Sequence, residues 1–258
     1  MYWQDRMAKS QAKMTSKSIA DTEKQLIKYY RKTMDSVIKD FELTYQKLLL
    51  TVGEGREPTP ADLYKLDKYW QLQGQLKHEL TKLGDKQAAL LSKKFVEQYI
   101  GVYNTTALPD IEGLFSSIDT KTAYQMINQI WCADGKSWSE RVWTNTDKLQ
   151  QALNDNLIDC VVSGKKTTQL KDMLQQDFNV SYHRAESIVR TEMAHIQTQA
   201  AQHRYQDYGI EYLEVWADED ERRCDICGEL HQTQFPSNGV APVPAHPNCR
   251  CCVIPVID

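Results

Sequence analysis

Long apolar runs are missing from this chain. The densest stretch, Leu48-Leu49-Leu50-Thr51-Val52, falls far short of the roughly 18 residues that a membrane-spanning helix requires, which excludes a transmembrane protein of that kind. The opening Met1-Tyr2-Trp3-Gln4-Asp5-Arg6 has no apolar secretory core, so the sequence predicts folding in a reducing cytoplasm. Neither a Walker loop nor a dinucleotide fingerprint occurs, which argues against nucleotide-driven work. Internal repeats and low-complexity tracts are absent as well.

A dominant charge is also lacking. With 31 Lys+Arg against 35 Asp+Glu the net charge is −4, and 26% charged with 41% hydrophobic residues is an ordinary globular balance that excludes a long disordered acidic or basic chain. At roughly 150 residues per domain, 258 residues make one large domain or two smaller ones. Charge is nevertheless unevenly placed: residues 1–100 carry 18 basic and 13 acidic side chains, residues 101–258 carry 13 and 22. The basic excess is spread along helical surfaces, as on a solvated face, rather than clustered into a nucleic-acid stripe.

What is abundant is helical periodicity. Ile27, Tyr30, Met34, Val37, Phe41, Tyr45 and Leu48 recur at steps of three or four, predicting one amphipathic helix over 16–50. Gly53 to Pro58 breaks it, and Thr59-Pro60 reads as an N-cap with proline at the first helical position. Leu63, Leu66, Trp70, Leu76, Leu80 and Leu83 continue the stripe to Gly84, and Leu91, Phe95 and Tyr99 predict a further helix. Asp119 can cap a helix running to Trp131, and Ser139 one that passes Leu149, Leu153 and Leu157 to Gly164. Thr167 or Thr168 opens a short helix through Leu170 and Leu174, and Ser181 a long one ending before Gly209. Beyond it the period changes to two: 211–216 and 251–254 read as strands. The predicted fold is α+β and mainly helical. It comprises an N-terminal arm or hairpin of long helices over 1–105 and a second region over 106–258 that ends in a small sheet-containing module at 209–258.

Five of the eight prolines and five of the seven cysteines lie between Cys224 and Asp258. In a reducing compartment that cysteine density is not a disulfide framework, and the odd count agrees. The spacing is Cys224-x2-Cys227, eighteen residues, then His246-x2-Cys249-x-Cys251. Two cysteines separated by two residues can reach one zinc ion from a tight turn, and the second group closes the site across the loop. Five candidates compete for about four tetrahedral positions. Cys224, Cys227, His246 and Cys249 are favoured, Cys251 rivals Cys249, and Cys252 points away if 249–252 is extended. Four such ligands leave no position for water, so the predicted ion is structural rather than catalytic. Residues 228–248 contain few large apolar side chains, chiefly Leu230 and Phe235, too few to fix a loop of that length without a metal. His231, in the same loop, reads as a surface residue.

Enzymatic zinc patterns fit poorly. A zinc deaminase needs an upstream H-x-E and a proline before its C-x2-C, where Arg223 stands. His78-Glu79 lacks the second histidine of a metalloprotease, and Glu192-x2-His195 is a single copy of a pair that di-iron bundles use twice. An HNH-type nuclease remains the enzymatic alternative, although no separate Asp-His pair sits between the two knuckles.

Arg190-Thr191-Glu192, Trp216, the run Asp220 to Cys227 and the run Pro244 to Cys251 together resemble the phage Mu F-like head-morphogenesis family of tailed bacteriophages. The resemblance extends to Trp138-Ser139-Glu140-Arg141-Val142-Trp143 and to Val180-Ser181-Tyr182-His183-Arg184-Ala185, and departs where the family's usual threonine is replaced by Arg223. It implies a non-enzymatic minor head protein of the virion, assembled in the host cytoplasm and associated with the portal vertex. Such a protein acts in head morphogenesis, DNA packaging or genome ejection. The implied partners are the portal protein, with scaffold or major capsid protein as further candidates. Double-stranded DNA is a further candidate, through Lys24, Lys28, Arg31 and Lys32. Arg190 and Glu192 match the family motif as structural residues that could join the last long helix to the sheet. A zinc-stabilised DNA-binding or DNA-processing protein is the competing reading.

Overall fold

The computed structural model describes residues 3–52, 67–106, 117–163, 167–217 and 220–257. The described chain is mostly helical and finishes in a small antiparallel sheet. Its elements are α1 (Trp3–Val52), α2 (Lys68–Thr105), α3 (Thr120–Ile127), α4 (Trp138–Val162), α5 (Thr167–Asp207), β1 (Tyr212–Trp216), α6 (Asp225–Leu230), β2 (Gln234–Pro236) and β3 (Cys252–Pro255). Strand order is β2-β1-β3, with Leu213 opposite Phe235 on one side and Val215 opposite Val253 on the other. The expected Thr59-Pro60 start, Leu63, Leu66 and the glycine stop at Gly164 lie outside the described residues.

Three of the described helices, α1, α2 and α5, run further than the sequence predicts. α1 begins at Trp3 instead of residue 16. Gly84 does not end a helix, since α2 runs through it, and Ser181 does not start one, since α5 is continuous from Thr167. The reason at Ser181 is the buried stripe: Leu174, Phe178 and Ala185 continue one apolar face across it, so packing outweighs the capping preference of serine. Ser139 lies inside α4 rather than capping it. Asp119 does cap α3, accepting the Thr122 N–H at 2.7 Å, but that helix ends at Ile127, four residues before Trp131.

Contacts divide the chain into two compact units. One comprises 24–89 and 139–185, the other 1–23, 90–138 and 186–258, so α1, α2 and α5 contribute to both. In the first unit Tyr30, Val37, Phe41, Leu76, Leu80, Leu83, Leu153, Leu174 and Phe178 form one buried cluster. Each large side chain removed from water there contributes on the order of 2 kcal/mol before entropy is counted. Trp70, placed in this stripe by its spacing, is 61% exposed; Tyr69 and Leu72 face inward in its stead. A polar knot sits within the cluster: Asn145 donates to Tyr30 Oη at 3.1 Å and to the Ser181 carbonyl at 2.9 Å, and Tyr30 donates to Gln87 at 3.3 Å. Burial pushes the Tyr30 phenol up to about 12, so it remains a neutral donor.

In the second unit, Phe95, Tyr99, Val189, Met193, Ala200, Tyr205, Leu213, Val215, Val253 and Ile254 are buried. Gln11 on α1 reaches across this core, donating to Tyr205 Oη at 3.1 Å and accepting from Gln197 at 3.3 Å. Gln98 donates to Thr15 at 2.7 Å. α5 ends in a Schellman turn: the Gly209 N–H binds the Gln206 carbonyl and the Ile210 N–H binds that of Tyr205, with Gly209 at φ 76°. That turn delivers the chain into β1.

Gly84 supports close packing of the first unit rather than a helix stop. A Cβ there would lie 2.5 Å from Cζ3 of Trp143. Overpacking of this kind costs about 1–3 kcal/mol, against roughly 1 kcal/mol gained from the better helix propensity of alanine. Gly84→Ala is therefore expected to lower the melting temperature. In a Trp143→Leu background, where the indole is gone, the same substitution should raise it; a stabilising effect in both backgrounds would refute the packing role.

Candidate metal centre

The candidate ligands converge through two tight turns presented by β1 and β3. Cys224 is the N-cap residue of α6, in extended conformation, and its sulfur accepts the Cys227 N–H at 3.4 Å while its carbonyl accepts that of Gly228. A thiol replaces the usual oxygen cap, and the six-residue helix places Cys227 one turn later on the same side. The second turn is His246-Pro247-Asn248-Cys249. The Cys249 N–H closes onto the His246 carbonyl at 3.2 Å, and Asn248 takes a left-handed φ of 61°, a conformation that asparagine tolerates better than most residues.

Two donor triads result, Cys224–Cys227–His246 and Cys227–Cys249–Cys251, each with its donor atoms within 4.8 Å of one another and sharing Cys227. His246 Nε2 lies 3.2 Å from Cys224 Sγ and 3.1 Å from Cys227 Sγ, and Cys227 Sγ lies 3.8 Å from Cys249 Sγ. A tetrahedral ion with sulfur arms of ~2.3 Å sets sulfurs about 3.8 Å apart, and sulfur and nitrogen slightly closer. Among the described residues no cysteine is in a disulfide. His246 Nδ1 lies 2.9 Å from the Pro247 carbonyl, which can only accept. The ring proton therefore sits on Nδ1 and the Nε2 lone pair faces the sulfurs, the tautomer that ligation through Nε2 requires. Soft sulfur and imidazole donors in this arrangement suit zinc, and the cluster can hold a metal ion.

Electrostatics separates the thiols. The Cys227 N–H holds the Cys224 thiol below its ordinary value. A hydrogen bond from Cys251 draws the Cys249 thiol down to about 5, and the same bond, with burial, pushes Cys251 up. Burial raises Cys227, and the Pro247 carbonyl raises His246. The shared hydrogen bond thus favours ionisation at Cys249 over Cys251. Cys252 lies in β3, opposite Trp216 of β1.

The surrounding residues fix the two turns in place. Arg250 grips Asp220 with both terminal nitrogens, at 2.7 and 2.6 Å, while Arg222 shares the same carboxylate at 3.1 Å. The Arg250 contact holds the Asp220 carboxyl well below the usual carboxylate range. Asn248 is tied to α5: its N–H donates to Thr191 Oγ1 at 3.0 Å and its amide to Ser187 Oγ at 3.4 Å. The Arg190-Thr191-Glu192 motif therefore sends its three side chains to three partners. Arg190, 44% exposed, pairs with Glu23 of α1 at 2.7 Å and approaches Glu186 at 3.8 Å. Glu192, almost fully buried, accepts from the Trp131 indole at 3.0 Å.

Arg190 ties α5 to α1 through Glu23, which occupies the helix face beside it, and Thr191, given no role of its own in the sequence motif, makes the link to the second knuckle. His231 is not a bystander: its Nδ1 accepts the Ala217 N–H at 3.2 Å and its ring meets Trp216 edge-on at 4.9 Å. His195 of the isolated Glu192-x2-His195 pair stacks flat on Trp131 at 4.1 Å, and burial pulls it down to about 4, so it stays neutral near pH 7. A groove of about 900 Å³ opens beside the cluster, with Lys9, Ala12, Arg190, Trp216, Cys249 and Cys251 among its walls.

Thr191→Val removes the acceptor for the Asn248 N–H at constant shape and is expected to destabilise the protein by about 0.5–1.5 kcal/mol. Thr191→Ser, which keeps the oxygen, should restore most of that in thermal denaturation. Equal losses in both variants would mean that the hydroxyl is irrelevant.

Residues 151–254 match the family described as phage Mu protein F like protein, a span that contains all of α5, the sheet up to Ile254 and all five candidate ligands. No curated protein and no solved structure matches the chain. Over residues 151–254, the chain is similar to the phage Mu protein F like family.

Proposed function

We propose that this chain is a minor head protein of a tailed bacteriophage that acts in head morphogenesis by binding other virion proteins, without catalysis. The observation that carries the reading is the closed cluster of sulfur and imidazole donors inside the family-matched segment. Cys224, Cys227, His246 and Cys249 would hold one zinc ion, with Cys251 behind Cys249. The ion supplies cross-linking of the two turns. Structural zinc contributes on the order of 10 kcal/mol to the folding of small fingers, enough to order a loop in which only Val243 is a fully buried aliphatic residue. Four protein donors around one ion leave no place for a reacting water, which favours a fold-holding role over hydrolysis.

Within the virion the proposed partner is the portal, with scaffold or major capsid protein as further candidates, and the proposed location is the portal vertex. The N-terminal helices over 1–105 would provide the docking arm and 106–258 the Mu F-like part. Packaging and ejection are the stages at which a protein so placed would act. Lys24, Lys28, Arg31 and Lys32 are exposed on α1 and could meet genomic DNA. Such contacts would weaken steeply with salt, because each neutralised phosphate releases counterions.

Three measurements test this reading. The purified chain should contain about one zinc per chain, and Cys224→Ser or His246→Ala should lose it; unchanged content in both variants overturns the ligand set. The chain should co-purify with a portal oligomer, whereas metal-dependent cleavage of plasmid DNA by the pure protein would favour the nuclease alternative.

Acid should release the ion. The folded-state value of Cys249 lies below that of a free thiol, so its contribution to stability is complete above about 8.5 and fades as the pH falls through about 5. Ligation, which needs thiolates and a neutral imidazole, strengthens the same trend. The difference in melting temperature with and without chelator should therefore shrink on acidification from pH 8 to pH 5 and vanish in Cys249→Ser. A difference that grows on acidification would contradict the scheme.

A further inference from the structure

Zinc needs four donors, the cluster has five, and the fifth is placed where it can act on the fourth. Cys251 Sγ shares a triad with Cys227 and Cys249, all within 4.8 Å and all buried, and its thiol hydrogen-bonds Cys249. Because the two residues are separated only by Arg250, no segment of chain has to move far for their sulfurs to meet. The side chain between them is anchored, since Arg250 is clamped on Asp220 at 2.7 and 2.6 Å. Both residues also line the groove of about 900 Å³, wide enough to admit a small oxidant, although each is only 3% exposed.

We infer that Cys251 is the release thiol of the metal centre: a peroxide arriving through the groove oxidises Cys249, Cys251 closes a disulfide with it, and the ion is let go. The inference rests on the zinc reading above. In the first step the Cys249 thiolate attacks one peroxide oxygen; the O–O bond breaks, a sulfenic acid forms, and hydroxide leaves. In the second, the Cys251 sulfur attacks that sulfenic sulfur, the S–O bond breaks, and the thiol proton leaves with the departing oxygen as water. Two electrons pass from the two sulfurs to one peroxide. The product sulfurs no longer carry the thiolate charge that ligation needs, leaving the ion with Cys224, Cys227 and His246 only.

The device suits a protein that assembles in one redox environment and meets another. A bare four-ligand cage would over-oxidise irreversibly, whereas a neighbouring thiol traps the first product in a form that thiols can reduce.

The test uses the full chain, loaded with zinc, in wild-type form and as Cys251→Ser and Cys252→Ser. Hydrogen peroxide is added in the presence of a chromogenic zinc chelator, peptide mapping locates any disulfide, and dithiothreitol with fresh zinc follows. The expected result is zinc release from wild type and Cys252→Ser with a Cys249–Cys251 disulfide, and recovery of zinc content after dithiothreitol. Cys251→Ser should purify with full zinc and should recover at least about tenfold less of it, because its sulfenic acid passes on to the sulfinic state. Recovery equal to wild type in Cys251→Ser, or oxidised wild type without the Cys249–Cys251 disulfide, overturns the inference and leaves the zinc site standing. A Cys251→Ser chain that purifies without zinc also overturns it, making Cys251 a ligand. Wild type that never contains zinc removes the metal reading and this inference together.

Discussion

Convergence of five soft donors on one small volume is the constraint around which the C-terminal part of this chain is arranged. Little else is available to hold it. The segment between the two cysteine turns buries few apolar side chains, and β2 and β3 are three and four residues long. Each turn is instead set by local chemistry: a sulfur cap on a short helix, and an asparagine in the left-handed region. The turns are then braced from outside, one knuckle by Thr191 and Ser187 on α5, the approach to β3 by the Arg250–Asp220 fork. Because that fork is exposed its worth lies in geometry more than in energy, since solvent screens such pairs.

The helical part follows a different logic. Stability there comes from long apolar stripes that run through positions where local preference would stop a helix. Gly84 and Ser181 are the clear cases. Periodicity on either side of each was legible in the sequence, and so were Leu80, Leu83, Leu174 and Phe95 as core residues. What could not be read was that the stripes join, because that depends on the partner surface: Trp143 fills the space that Gly84 vacates, and Asn145 satisfies the Ser181 carbonyl. Trp70 shows the same limit, as its neighbours Tyr69 and Leu72 face the core once the helix phase is fixed.

In the candidate site the convergence of Cys224, Cys227, His246, Cys249 and Cys251 was legible from spacing, since C-x2-C and H-x2-C bring their donors together in tight turns. The supporting residues were not. Thr191 carries no spacing signal toward Asn248, 57 positions away, and the role of His231 depends on the path of β1. Arg190 was recognised as part of a motif, yet its partner Glu23 lies 167 residues upstream, on a helix with no spacing signal toward it. Short strands such as β2 also escape, because three residues cannot display a period.

The sulfur cap on α6 has a consequence for the donor set. Cys224 has its backbone partner in the Cys227 N–H, so the capping contact that begins α6 also sets the two sulfurs of the first chelating pair on one side of the turn. Helix start and half of the donor set are thus one local structure, and a substitution that weakens the cap disturbs both.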